Sequence, residues 1–178
     1  MAQKWTPTGD VGSAGGWTAQ SGSDLYAMVD DDTASNSTYI QATDDSYANK
    51  SCIVSLEDLD APADGDIKLY YTAKSTNDSF SGTLSLKLEL LGDGSSQANL
   101  TQSLSTSFTD YTSGDLIDYD DISDWDTAQI KITMLQGMGV SETIQLSNVY
   151  LLTEDGSGGG GSVPIAAIAM NTYRQMGN

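Results

Sequence analysis

Residues Ile67–Lys74 read IKLYYTAK and residues Leu84–Leu90 read LSLKLEL, and the period of two in these stretches decides the fold. Ile67, Leu69, Tyr71 and Ala73 alternate with Lys68, Tyr70, Thr72 and Lys74, and the four leucines alternate with Ser85, Lys87 and Glu89. Successive side chains of a strand point to opposite faces, so each run buries one face and shows the other to water.

Working outward, the same pattern recurs at Cys52, Val54 and Leu56, at Ile130, Ile132 and Met134, and at Ile144 and Leu146. Its parity becomes ambiguous near Ser147–Asn148, where Val149 and Leu151 compete with Tyr150 and Leu152, which predicts a bulge or a strand covered on both faces. Turn chemistry separates the runs at 63–66, 76–78, 92–94 and 137–139. Strands about a dozen residues apart, with no long helical period among them, predict an antiparallel β-sandwich of jelly-roll type. Residues 49–155 form its expected core. Residues 1–48 read as a loop-rich segment of the same body, with strand-like pieces at Leu25–Val29 and Tyr39–Ala42.

Behind this body, Gly156–Ser162 (GSGGGGS) reads as a flexible linker to a short apolar tail, Val163–Asn178. As a helix from Pro164 the tail would set Ile165, Ile168, Ala169, Tyr173 and Met176 on one face, with Ser162 as N-cap and Gly177 at its end. A stripe that short needs a partner surface. Ile165, Ile168, Tyr173, Arg174 and Met176 are therefore the candidate partner-binding residues.

The net charge is −18, all 25 acidic residues lie at or before Asp155, and Arg174 is the only basic residue beyond it. Such a field repels phosphate backbones and anionic membranes, so neither nucleic acid nor membrane is an expected partner. Cys52 stands alone and there is no histidine, which excludes an intrachain disulfide and His/Cys zinc sites. The opening MAQKWTPTGD carries no apolar signal core, and the apolar run Ile165–Met170 is too short to span a bilayer.

Little catalytic chemistry is legible. No nucleophile elbow or phosphate loop is present, and carboxylate pairs arise by accident in so acidic a chain, so the expectation is a non-enzyme with no cofactor. Calcium would call on Asp30, Asp32 and Asn36, or on Asp118, Asp120, Asp121 and Asp124, but neither spacing matches a calcium loop. These runs read as solvated acidic faces, with no metal assigned. Trp5, Trp17, Trp125, Tyr26, Tyr39 and Tyr47 could stack on a sugar ring, with Trp17 and Trp125 the leading candidates, although burial is the commoner fate of an aromatic.

Pro7-Thr8-Gly9-Asp10-Val11, Gly16-Trp17-Thr18 and the succession Leu25-Tyr26, Asp30-Asp31-Asp32-Thr33, Tyr39-Ile40 resemble the start of a family of tailed-bacteriophage virion proteins found in marine and environmental phages. Met170-Asn171-Thr172-Tyr173-Arg174-Gln175-Met176 is similar to the short C-terminal tail that some of these proteins carry. The resemblance implies a jelly-roll head-decoration or minor capsid protein at the capsid surface. Its partners would be the major capsid protein, another virion protein or further copies of itself, as in the trimers many decoration proteins form. The alternative expectation is a carbohydrate-binding or fibre module that contacts the host surface.

Overall fold

The inward rows foreseen from the period of two are the two walls of one core. In the computed structural model, which describes residues 3–31, 35, 37–44, 48–57, 67–76, 84–114, 122–135 and 142–153, Ile67, Leu69, Tyr71 and Ala73 face Leu86, Leu88 and Leu90 across an apolar interior. The strands are β1 (Lys4–Trp5), β2 (Pro7–Asp10), β3 (Trp17–Ala19), β4 (Ile40–Thr43), β5 (Lys50–Leu56), β6 (Ile67–Ser75), β7 (Ser85–Gly92), β8 (Ser95–Ser103), β9 (Thr109–Thr112), β10 (Gln129–Met134) and β11 (Thr143–Thr153). Every pairing is antiparallel.

One sheet runs β3-β4-β11-β6-β9, with β1 also on β11, and the other runs β2-β5-β10-β7-β8. From β4 onward the partners nest: β4 takes β11, β5 takes β10, β6 takes β9 and β7 takes β8, with successive pairs in alternate sheets. A long antiparallel ribbon folded over itself in this way is the jelly roll. The segment 1–48 is more than loop, since it supplies β1 to β4 and adds strands to both sheets.

The β7–β8 hairpin closes through Asp93 (φ 51°) and Gly94 (φ 76°). Both central residues are left-handed, as a two-residue turn between twisted strands requires, and an aspartate followed by glycine tolerates this best. Gly15 (φ 53°) is fixed by a close approach as well, because a Cβ there would stand 1.7 Å from the Ser51 carbonyl oxygen.

Of the two expectations near Ser147–Asn148, a bulge or a strand covered on both faces, the bulge is present as a register shift between Leu146 and Asn148. Before it Ile144 and Leu146 face the core; after it Val149 and Leu151 do, while Tyr150 and Leu152 turn outward. Ser147 is fully buried, its Oγ accepting from the Ser35 amide (2.8 Å) and donating to the Ser35 carbonyl (2.7 Å). Between the stretches of β11 covered by β4 and β1, the Val149 amide donates to the Val29 carbonyl.

The strand foreseen at Leu25–Val29 is instead a 3-10 turn, Tyr26–Met28. The Asp10 carboxylate accepts from the Leu25 and Tyr26 amides at 2.8 Å each, and these bonds hold the turn start where a ladder would otherwise be needed.

Candidate functional site

Among the described residues, lysines and carboxylates occupy different parts of the fold. Lys4, Lys50, Lys68, Lys74, Lys87 and Lys131 all lie in strands, whereas Asp10, Glu89 and Asp110 are the only acidic residues within the described strands. Among the described residues the strands therefore carry more lysines than carboxylates, and most described carboxylates lie outside them. A ligand or partner meets least repulsion on the sheet faces.

The outward row of the five-stranded sheet mixes Ser51 and Thr133, whose hydroxyls lie 2.9 Å apart, with the apolar Ile53 and Leu91. Across its middle, Glu89 accepts from Lys87 (2.9 Å) and pairs with Lys131 (3.4 Å). The hydrogen bond from Lys87 is the main reason the Glu89 carboxyl titrates below the usual range.

The six-stranded sheet presents different chemistry. Tyr70 of β6 and Tyr150 of β11 are cross-strand partners with rings stacked at 5.2 Å and 5°, and Lys4 Nζ stands 4.2 Å over the Tyr150 ring. Further along the face, Thr72 donates to Asp110 (2.5 Å) and Gln145 donates to Gln41 (3.2 Å). Phe108 carries Lys74 Nζ at 4.4 Å and lies 6.2 Å from Tyr39. Aromatic faces beside amides, hydroxyls and cations can take a polyhydroxyl ligand or a polar protein surface. Of these groups only Tyr39 is among the stacking candidates that the sequence offers. The pairing of Tyr70 with Tyr150 needed the β6–β11 register, which no local signal gives.

The two tryptophans proposed for stacking are in the core. Trp17 is 2% exposed, with Nε1 donating to the Lys50 carbonyl at 3.0 Å, and Trp125 is 4% exposed and stacked on Trp5 at 5.6 Å. Rings so enclosed have no face left for a sugar, so burial, the commoner fate of an aromatic, is theirs and they drop out as stacking candidates. Trp125 plugs one end of the sandwich from a second 3-10 turn, Trp125–Thr127, capped by the Asp124 carboxylate. The tail candidates Ile165, Ile168, Tyr173, Arg174 and Met176 lie outside the described residues, as do Tyr47, Asp32, Asn36 and the acidic residues 118–121.

Burial first, and then the charge of Asp10, push the Cys52 thiol up to about 12, so it packs as an apolar group and supplies no nucleophile. Tyr71, stacked on Tyr111 at 5.1 Å, is likewise raised by burial. Among the described residues no group of three or more Asp, Glu or Cys gathers as a metal site.

Both ends of the described body meet at one pole of the sandwich. The Gln3 amide donates to Thr153 Oγ1 and the Thr153 amide donates to the Gln3 carbonyl, each at 2.9 Å. The opposite pole carries Asp44 and Glu142, where β4 ends and β11 begins. The first is the terminal pole and the second the distal pole.

No family model and no curated protein matches the chain. Among solved structures it is similar to TmCBM61 in complex with β-1,4-galactotriose, at 11% identity over 67% of this chain and 73% of that one, with a TM-score of 0.41. It is also similar to a CBM4 structure (17% identity, 78% and 95% covered, TM-score 0.46). A third is the arabinose-bound MgGH51 α-L-arabinofuranosidase (14% identity, 83% and 22% covered, TM-score 0.49).

Proposed function

We propose that this chain is a non-enzymatic virion structural protein of the head-decoration kind, its jelly-roll body held to the capsid or to neighbouring copies by the tethered tail. The observation that carries the reading is the joining of Gln3 to Thr153 at the terminal pole, directly before the glycine linker. A body tethered there is held at one end, leaving the distal pole and both sheet faces turned outward.

Seven linker residues reach at most about 25 Å, and on average roughly 13–16 Å as a coil, so the tail docks close to that pole. Its apolar side chains bury surface while Arg174 pairs with a carboxylate of the neighbour. A weak tail contact and a weak body contact then reinforce each other through effective concentration.

The test compares the full chain with one lacking residues 156–178, by light scattering and by co-sedimentation with capsids stripped of the protein. The truncated chain should fold, because β11 ends at Thr153, and should lose most attachment and self-assembly. Unchanged attachment together with unchanged assembly would refute the reading.

The Tyr70–Tyr150 face favours a second reading, recognition of a host-surface carbohydrate. Loss of glycan-array binding in a folded Tyr70→Ala variant would support it, and absence of binding by the unaltered chain would dismiss it.

A further inference from the structure

At the distal pole β4 and β11 pair as far as Thr43 and Thr143, and the residues just beyond, Asp44 and Glu142, remain joined by the Asp44 amide donating to the Glu142 carbonyl at 2.7 Å. Along β4 the inward positions are Ile40 and Ala42, and along this part of β11 they are Ile144 and Leu146. Asp44 and Glu142 continue both rows, so two carboxylates stand opposite one another at the inward-facing mouth of the sandwich. Asp44 is 0% exposed and Glu142 6%. The Glu142 Oε1 atom is buried there without a hydrogen-bond partner.

Like charges directly opposite on a ladder are destabilising, and an enclosed carboxylate oxygen with no donor is costly. We propose that this pair is a cation site that takes a divalent ion, calcium in particular. Carboxylates are hard oxygen donors, and calcium accepts irregular oxygen sets completed by carbonyls and water, whereas magnesium demands a near-ideal octahedron. The ion would lock the mouth of the sandwich by joining β4 to β11, independently of how the tail attaches.

The experiment is thermal unfolding of the full chain, first stripped with a chelator, in millimolar calcium or magnesium at equal ionic strength and near-neutral pH. Calcium should raise the midpoint by roughly 5 °C, and magnesium by clearly less. Glu142→Gln and Asp44→Asn should each abolish the calcium response, and displacement of terbium luminescence by calcium should report the same site without reference to stability. A wild-type midpoint indifferent to calcium would overturn the proposal. So would a full response retained in both variants, since the ion would then sit on other carboxylates. Stabilisation by acid alone, with none by calcium, would also overturn it by identifying a shared proton as what neutralises the pair.

Discussion

The two poles of the sandwich treat carboxylates in opposite ways. At the terminal pole, Asp93 accepts from the Ser123 amide (2.9 Å) and the Asp124 amide (3.1 Å), and the Ser123 amide holds its carboxyl below the usual range. Asp124 in turn accepts from the Asp126 amide. At the distal pole Glu142 has one enclosed oxygen without a donor, and its carboxyl is held high. A carboxylate's contribution is set by the donors around it, and a chain of net charge −18 can therefore hold some acids as turn clamps and others as a cation trap.

The terminal pole is clamped by packing as well as by hydrogen bonds, and removing the packing gives the largest expected effect. Trp125→Ala opens a cavity against Trp5 beneath the Asp93 turn, costing roughly 3–5 kcal/mol and lowering the unfolding temperature by roughly 10 °C. Circular dichroism melting checks this; a midpoint unchanged within error would mean that the pole does not depend on the stacked indoles.

A smaller effect sharpens the contrast through pH. In the metal-free protein Glu142 binds its proton more tightly when folded, so stability should rise as pH falls toward the ordinary glutamate value of 4.5 and decline as pH rises through the folded value. Asp93 has the opposite sign. Its contribution is present above the ordinary aspartate value of 3.8 and is lost as pH falls through the lower folded value. Urea midpoints measured against pH should flatten on the neutral side in Glu142→Gln and on the acid side in Asp93→Asn. Identical profiles in wild type and both variants would erase the distinction between the poles.

The smallest effect belongs to neither pole. Lys131→Met breaks a half-exposed pair with Glu89 in the middle of a sheet, where the loss should stay below about 1 kcal/mol and shrink further in high salt. A loss as large as that of Trp125 would mean that the sheet face, rather than the poles, holds the critical charges.

Legibility followed locality. IKLYYTAK and LSLKLEL announced their inward rows, and Gly92-Asp93-Gly94 announced its hairpin, because alternation and left-handed turns are written within a few residues. β8 escaped notice since it is an edge strand whose inward residues are Ala98, Leu100 and Gln102, leaving SSQANLTQS without an apolar rhythm. Leu25–Val29 looked like a strand by composition, but Asp10, distant in sequence, supplied the cap that made it a turn. Tryptophans that could have faced a ligand were drawn inward, where a large ring displaces the most water.

The sequence by itself determined the all-β sandwich, the absence of histidine and the strongly acidic composition, and it narrowed the irregularity of β11 to a bulge or a doubly covered strand. Tertiary structure alone decided which residues became a site. Asp44 meets Glu142, and Tyr70 meets Tyr150, only because the rolled ribbon pairs distant strands in one register. Register is a property of the closed core: it is fixed by burying both inward rows at once, and no segment read alone contains that information.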